Sequence, residues 1–291
     1  MDSYKGVGLG GVGFGGNAFK DKVAVVTGAG SGIGRALAGQ LAQRGARLAL
    51  SDRDTNSLAV TAAQARAAGA EVADDHLDVA DRVAVASYAQ DVRQRFGAVH
   101  QLYNNAGIAQ VGPIEQSDYD DLDRVMAVNF WGVVHGTKEF LPHLIDSGDG
   151  HVITLSSVFG LVAAPWMAGY DASKFAVRGF TEALRAELRA TGRPVRVTCV
   201  HPGAVRTPII QHADAAPGED LAAAEGLFRK LAVTTPDGAA RAILRGVRLR
   251  RARVLIGPDA RLADAGQRLL GSQYERVAAL AARWFVPSEN K

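Results

Sequence analysis

The 291-residue chain has a single cysteine, Cys199, so it can form no internal disulfide, and its place in the run Val195 to Val200 indicates a small buried side chain. No stretch of about 18 uninterrupted apolar residues occurs, which excludes a spanning helix. Glycines dilute the apolar residues of the N-terminus, so no secretory signal is recognisable and we expect a cytoplasmic protein. The seven histidines lack any short metal-ligand spacing such as H-E-x-x-H, and we expect no bound metal.

An excess of charge of one sign is also missing. The 33 Lys and Arg residues nearly balance the 30 Asp and Glu residues, so the net charge of +3 demands neither a nucleic-acid nor a membrane partner. One basic run lies between residues 241 and 253. Its first members, Arg241, Arg245 and Arg248, recur at helical spacing, which favours a solvated helix face over a phosphate-binding patch.

Short strand-like runs alternate with helix-forming segments along most of the chain. This alternation predicts a mostly parallel seven-stranded sheet with helices on both faces, which is an α/β, doubly wound, three-layer arrangement. In such a sheet the ligand lies at the carboxyl ends of the strands, near the switch in strand order. The predicted strands are residues 22–27, 46–50, 71–79, 99–103, 151–156, 195–200 and 253–257.

The chain reads as one domain, residues 21–258, that includes a substrate loop at 208–235. Residues 1–20 contain Gly8-x-Gly10-x-x-Gly13, but no strand precedes this pattern and no helix follows it directly. We therefore expect a flexible glycine-rich arm rather than a phosphate site. We expect residues 259–291 to form a helical extension that packs on its own subunit or on a partner subunit in preference to a membrane, or that covers the substrate cleft. One apolar helix face is predicted there from the spacing of Leu270, Tyr274, Val277, Ala281 and Trp284.

A second glycine cluster has the structural context that the first one lacks. Residues 22–27 (KVAVVT) read as a strand, residues 28–34 (GAGSGIG) as a turn and residues 35–44 as a helix. Free N–H groups and the positive end of the helix dipole make such a turn an anion site, and glycines let a pyrophosphate approach without an intervening Cβ. The residues expected at the phosphates are Gly28, Gly30, Ser31, Gly32, Ile33 and Gly34.

The end of the second strand bears on the choice of dinucleotide. Asp52 lies 18 residues past Gly34, where a carboxylate can accept hydrogen bonds from the adenosine ribose. Such a carboxylate repels a 2′-phosphate and favours NAD, whereas Arg53 directly after it can bind that phosphate and keeps NADP as the alternative. A purely local role for Asp52, at the start of the next helix, is also open.

Loops after later strands carry further polar or small residues. The pair that follows the third strand is placed to contact an adenine ring, whereas the run after the fourth strand either ties neighbouring strands or leaves room for a cofactor. The loop after the sixth strand offers backbone groups and a hydroxyl to a carboxamide. These residues are, in order, Asp78 and Val79; Asn104, Asn105, Ala106 and Gly107; Pro202, Gly203, Val205 and Thr207.

Two elements later in the chain can move protons. Tyr170 and Lys174 are four residues apart in a helix-forming segment, so they share a helix face, and a neighbouring cation is expected to lower the pKa of the phenol. Asn129 lies in the apolar segment VMAVNFWGVV, where an amide is either a satisfied core group or part of a proton path. Ser157 ends the fifth strand and is placed to bond a substrate oxygen.

Together these motifs resemble those of the short-chain dehydrogenase/reductase family across residues 20–257. The matching elements are TGAGSGIG, the Asp78-Val79 pair, NNAG, Asn129, Ser157, YDASK and PGAVRT. The resemblance implies a Rossmann-like fold, a nicotinamide dinucleotide, and hydride transfer to a carbonyl or from a secondary alcohol. It implies that Tyr170 exchanges the proton, Lys174 holds the phenolate and the nicotinamide ribose, Ser157 positions the substrate oxygen, and Asn129 anchors a water.

The residues between Ser157 and Tyr170 are largely apolar. They include Phe159 and Trp166, so we expect a bulky hydrophobic ketone or alcohol as the substrate. Separately, we expect the protein to assemble as a homodimer or homotetramer. The alternative function is a dinucleotide-binding sensor or scaffold without turnover. The complete set of proton-transfer residues argues against that alternative.

Overall fold

The computed structural model describes residues 18–211, 213–216, 222, 225–226, 228–229 and 232–282. Most of the predicted glycine-rich arm, part of the 208–235 loop and Trp284 therefore lie outside the described residues. In the described part of the chain, no helix combines the length and the apolar character needed to cross a bilayer.

Nine strands form two sheets within the described residues. Their bounds are β1 Val23–Thr27, β2 Arg47–Asp52, β3 Val72–His76, β4 Gln101–Asn104, β5 Gln110–Val111, β6 Gly150–Leu155, β7 Val195–Pro202, β8 Asp214–Ala215 and β9 Arg253–Ile256. Seven of them make the central sheet, in the order β3-β2-β1-β4-β6-β7-β9, and the pairs are all parallel. The short β5 and β8 pair separately. The predicted seven-stranded parallel sheet is thereby confirmed.

Helices cover both faces of this sheet. Their bounds are α1 Gly32–Ala42, α2 Thr55–Ala67, α3 Arg82–Phe96, α4 Tyr119–Met126, α5 Gly132–Asp146, α6 Ala168–Ala190, α7 Pro236–Arg248, α8 Pro258–Leu270 and α9 Tyr274–Ala282. Alternate β1 residues face opposite layers, because successive side chains of a strand point to opposite faces. Ala24 and Val26 pack with α1, α2 and α7, and Val23 and Val25 pack with α3, α5 and α6. The arrangement is the predicted three-layer α/β/α fold.

Strand order reverses next to β1. From β1 the chain proceeds outward through β2 and β3, and then returns to place β4 on the other side of β1. Helices that follow the two halves of such a sheet lie on opposite faces, which leaves a crevice at the carboxyl ends of the central strands. The loops after β1 and β4 meet at this point, and the predicted site residues follow the same strand ends.

Two helix predictions need correction. The single helix expected from about residue 118 to 145 is divided by a π-helical turn, Ala127–Trp131, which contains the buried Asn129. The apolar rhythm of the extension also crosses a break. Gly271 adopts a φ of 54° and begins a short 3-10 turn, so Leu270 ends α8 while Tyr274 begins α9. Residues on the two sides of that break do not share one continuous helix face.

Candidate active site

A cavity of about 930 Å³ opens at the carboxyl ends of the central strands. Its lining joins the glycine turn, the ends of β2 and β4, the residues after β6, helix α6 and the loop after β7. Of the predicted residues, those in the lining are Gly28, Gly30, Ser31, Gly32, Ile33, Asp52, Arg53, Asp78, Val79, Asn105, Ala106, Gly107, Ser157, Phe159, Tyr170, Lys174, Pro202, Gly203, Val205 and Thr207. Gly34, Asn104, Asn129 and Trp166 are not among them.

The glycine turn is packed so closely that side chains are excluded from it. A Cβ on Gly28, whose φ is 65°, would lie 2.7 Å from Ala106 Cα, and a Cβ on Gly34 would lie 2.0 Å from Gly28 O. Gly34 therefore serves packing within the turn rather than the cavity wall. Asn105 Nδ2 holds the turn from the other side by donating to Thr27 O at 2.9 Å and to Gly28 O at 3.0 Å.

Helix α1 presents its N-terminus to the cavity. Its N-cap residue, Ser31, makes no side-chain capping bond, so the N–H groups of the first turn are left for a ligand. Gly32 and Ile33 of that turn line the cavity. Free N–H groups, the positive end of the helix dipole and a turn without Cβ atoms together fit a dinucleotide pyrophosphate.

Asp52 is attached to the glycine turn by its own side chain. Its Oδ2 accepts from Gly30 N at 2.8 Å, and its Oδ1 accepts from Asp54 N at 3.0 Å. This geometry holds the carboxylate at the end of β2 and at the cavity wall. Arg53 follows Asp52, and its exposed side chain also lines the cavity. The cavity wall therefore holds both the carboxylate that favours a free 2′-hydroxyl on the adenosine ribose and the guanidinium that favours a 2′-phosphate there.

The proton-transfer residues converge as their spacing predicts. Tyr170 and Lys174 lie on one face of α6, with Lys174 Nζ 5.5 Å from the centre of the Tyr170 ring. Ser157 lies near the phenol and acts to lower its pKa, and the Ser157 Oγ accepts from Phe159 N at 3.1 Å. Lys174 Nζ donates to Leu155 O at 3.2 Å. All three side chains line the same cavity.

The expected direction of the tyrosine shift is wrong for the chain alone. Burial raises the pKa of Tyr170 to about 12, although the nearby Ser157 opposes that rise. Burial likewise lowers the pKa of Lys174 to about 8. The cation does not outweigh burial because its nitrogen bonds a backbone carbonyl and faces the ring rather than the phenol oxygen. Near neutral pH the phenol keeps its proton, and the lysine is mainly charged.

Asn129 is fully buried beside the cavity. Its Oδ1 accepts from Ile108 N at 2.9 Å, and its Nδ2 donates to Ile108 O and to Ser173 Oγ, both at 3.0 Å. The side chain thus joins the π-turn to the loop after β4 and to α6. A Cβ on Gly107 would lie 3.1 Å from Asn129 Oδ1 and 3.3 Å from Lys174 Nζ, so the amide is close to the lysine without bonding it.

The loop after β7 is held by backbone and side-chain bonds. Gly203 N donates to Ile256 O at 2.9 Å, and Ala204 N donates to Asp259 Oδ2 at 2.6 Å. Asp259 and Ala263 of α8 both line the cavity, and the sequence analysis did not single out either residue. Asp259 lies three residues past the end of β9, so the rule that flagged acidic residues after the other strands would also have found it.

The remaining end of the cavity is apolar. Its walls come from the residues after β6, from the 208–235 loop and from α8, and include Phe159, Val162, Met167, Ile209, Ile210, Phe228 and Ala263. The rings of Phe159 and Tyr170 meet edge to face, with centroids 6.5 Å apart. Trp166 departs from the expectation. Trp166 lies outside the cavity lining and is 40% exposed. Its backbone has a φ of 63°, and its carbonyl accepts from Gly112 N.

The geometry defines a dinucleotide-binding α/β protein with a tyrosine, a lysine and a serine at the far end of its crevice. Comparison with known proteins agrees. The family model for short chain dehydrogenase matches residues 22–218. SadH of Mycobacterium tuberculosis, which is named as an oxidoreductase, is 52% identical over 272 residues, which cover 93% of this chain and 99% of SadH. The chain belongs to the short-chain dehydrogenase/reductase family of oxidoreductases.

Solved structures show the same fold. A short-chain dehydrogenase/reductase from Burkholderia phymatum in complex with NAD matches with a TM-score of 0.82 and 34% identity, over 89% of this chain and 96% of the other. An alcohol dehydrogenase from the archaeon Thermococcus sibiricus, complexed with 5-hydroxy-NADP, matches with a TM-score of 0.70 and 30% identity, over 82% and 95% of the two chains. The Rossmann-like fold is thereby confirmed.

Proposed function

We propose that the protein transfers a hydride between a nicotinamide dinucleotide and a hydrophobic ketone or secondary alcohol. The observation that carries this proposal is the single cavity that joins the glycine turn to Ser157, Tyr170 and Lys174. In oxidation, the alcohol carbon gives up a hydride and its oxygen gives up a proton, leaving a ketone and the reduced dinucleotide. In reduction, the carbonyl carbon receives the hydride and its oxygen receives the proton, which leaves the alcohol and the oxidised dinucleotide.

The chain's own residues handle the proton and the positioning. Tyr170 Oη takes the hydroxyl proton during oxidation and returns it to the developing alkoxide during reduction. Ser157 Oγ orients the substrate oxygen beside that phenol. Lys174 holds the nicotinamide ribose and favours the phenolate once its nitrogen turns from Leu155 O toward the ligand. The bound dinucleotide supplies the hydride acceptor or donor.

The substrate proposal follows from the walls at the far end of the cavity. Among the described residues, and apart from Asp259, they are built from aliphatic and aromatic side chains that contribute no charged partner. A charged substrate would lose its hydration there without compensation, whereas a bulky apolar ketone would gain from burial. The steroid-like, aromatic and long-chain ketones are the classes that fit this description.

For the cofactor we propose NAD, with NADP as the alternative. Asp52, held against Gly30 N, favours a free 2′-hydroxyl, while the exposed Arg53 is the group that would bind a 2′-phosphate. Related structures carry either NAD or an NADP derivative. Calorimetric titration with NADH and NADPH tests the choice. Arg53→Ala should weaken NADPH binding and leave NADH binding unchanged, and failure of both dinucleotides to bind would refute the proposed function.

The catalytic proposal is tested with Tyr170→Phe, which removes only the phenol oxygen. We expect the variant to bind NADH as the wild type does, while turnover across a panel of apolar ketones falls by about 10³-fold or more. Circular dichroism and the dinucleotide titration serve as controls for folding. Turnover that survives this substitution would show that the proton comes from another group.

A further inference from the structure

The C-terminal extension places a carboxylate against the loop that follows β7. Asp259 Oδ2 accepts from Ala204 N at 2.6 Å, which is a short, charge-assisted bond. The whole carboxyl group lies flat on Gly203, where a Cβ would come within 2.0 to 2.2 Å of all three of its heavy atoms. Gly257 also leaves room for this carboxylate, since a Cβ there would lie 2.3 Å from Asp259 Oδ1. Three residues are therefore fitted around one carboxylate, which lies beyond the residues 22–218 that the family model matches.

Asp259 lies in the first turn of α8, where the helix dipole favours a negative charge, but no described side chain supplies a countercharge. Oδ1 is buried and makes no hydrogen bond to any described residue. Within the described ranges, the carboxylate also takes part in no ion pair with lysine, arginine or histidine. Asp259 nevertheless lines the cavity on the same wall as Gly203 and Thr207. A partly buried anion without a countercharge is unfavourable unless a ligand brings a positive charge to it.

Holding the loop does not by itself require a charge. An asparagine or a serine oxygen would also accept the Ala204 N–H bond. The dipole of α8 accounts for part of the preference for a carboxylate, and no described lysine, arginine or histidine side chain pairs with it. The oxidised nicotinamide ring is a cation, whereas the reduced ring is neutral, so a carboxylate on this wall interacts differently with the two forms.

We propose that Asp259 is the countercharge for the oxidised nicotinamide ring, so that the site binds the oxidised dinucleotide more tightly than it would without this residue. The inference rests on the proposed function, because the ring must lie between Tyr170 and the loop after β7 for the hydride to reach a substrate beside the phenol. Asp259 is a specificity-determining residue for the redox state of the cofactor and takes no part in the proton transfer.

The test compares the affinities of the oxidised and reduced dinucleotides. Isothermal titration calorimetry is run with NAD⁺ and NADH, and in parallel with NADP⁺ and NADPH, because any effect of the 2′-phosphate cancels in the ratio of each pair. In Asp259→Asn, which keeps an acceptor for Ala204 N, the oxidised form should bind about tenfold more weakly and the reduced form nearly unchanged. Glu275→Gln is the matched control, since it removes one negative charge from the exposed surface of the same extension.

A second variant changes the charge in the opposite direction. Ala263 lies one helical turn further along α8 and also lines the cavity, so Ala263→Asp adds a carboxylate to the same wall. It should increase the preference for the oxidised form, and it keeps the proposal testable if Asp259→Asn does not fold. Equal weakening of both forms in Asp259→Asn would show that the residue only holds the loop and would overturn the proposal. A wild type that binds neither form would instead reject the proposed function itself.

Discussion

At the scale of single residues, burial sets the properties of the ionisable groups around the tyrosine. Asp171, next to Tyr170, is 5% exposed; its Oδ2 accepts from Ala164 N at 2.7 Å, and its Oδ1 has no partner among the described residues. Burial raises the pKa of this carboxyl to about 7. His201 is also buried. Its Nδ1 contacts Ser157 O at 3.0 Å, so this nitrogen carries the proton, and burial lowers the pKa of the imidazole to about 4.

Asp171 gives a pH-dependent prediction for stability. The pKa of Asp171 is about 7 in the folded chain against 3.8 for a solvent-exposed aspartate, so between these pH values the folded state holds a proton that the unfolded state releases. Its contribution to stability therefore falls as the pH rises from about 4 to about 7. Asp171→Asn keeps the acceptor for Ala164 N but has no carboxyl to ionise. The free energy of unfolding of the variant minus that of the wild type should therefore be more positive at pH 8 than at pH 4, by on the order of 3 kcal/mol.

Urea unfolding of the wild type and the variant at pH 4, 6 and 8 measures this difference. Opposite slopes from buried histidines occur in both proteins and cancel. Asp91→Asn on the exposed surface of α3 should show no such trend. A difference between Asp171→Asn and the wild type that does not change with pH would contradict the prediction.

At the scale of elements, the start of α1 shows how one helix serves both the fold and the site. The two glycines Gly34 and Gly39 occur in the same helix, and the sequence alone assigns the first of them to the phosphates. In the structure, Gly34 packs on the Gly28 carbonyl, while a Cβ on Gly39 would meet nothing within 4 Å. Identical substitutions at these positions therefore test close packing of the turn against helix propensity.

We expect Gly34→Ala to abolish dinucleotide binding or prevent folding, because its Cβ would lie 2.0 Å from Gly28 O and 2.6 Å from Asn105 Nδ2. Gly39→Ala should stabilise the protein by about 0.5 to 1 kcal/mol and leave NADH affinity unchanged. Thermal unfolding and an NADH titration measure both effects. The packing account fails if Gly34→Ala binds NADH as the wild type does.

At the scale of the whole molecule, the extension has an inner and an outer side. On the inner side, Asp259 and Ala263 line the cavity, and Tyr274 Oη accepts from Ala163 N at 3.1 Å in the segment between Ser157 and Tyr170. On the outer side, large apolar side chains face solvent in the single chain. Leu269 is 85% exposed, Val277 57% and Leu280 58%. The contacts of the extension with its own subunit therefore lie on the inner side. The apolar residues available to a partner subunit lie on the outer side.

We predict that the outer side contributes to a homodimer or homotetramer. The triple variant Leu269→Gln, Val277→Gln and Leu280→Gln should reduce the molar mass measured by light scattering, because large exposed apolar side chains favour association. Val83→Gln, at a 72% exposed position on α3, is the matched control. An unchanged mass for the triple variant would rule out this face as an interface. The cytoplasmic location likewise stays a prediction.

Much of the architecture could be predicted because local patterns determine it. Strands such as 22–27 and 195–200 are short β-branched runs between helix-forming segments, and the structure places strands at both. The π-turn at Asn129 and the outward position of Trp166 were not predictable in this way. Both involve bonds between segments distant in sequence, as when Asn129 bonds Ile108 and Ser173, or Trp166 O accepts from Gly112 N. The break at Gly271 has a local signal, because glycine with a positive φ commonly ends a helix.

For this protein, the sequence by itself determined the class of fold, the glycine turn and the pairing of Tyr170 with Lys174, because helix and strand periodicity act over a few residues. Only the tertiary structure decided the pKa shifts of that pair, since burial depends on every surrounding element. It also brought Asp259, 56 residues after Gly203, against that glycine. The charge at the inferred nicotinamide end of the cavity is therefore a property of the folded chain.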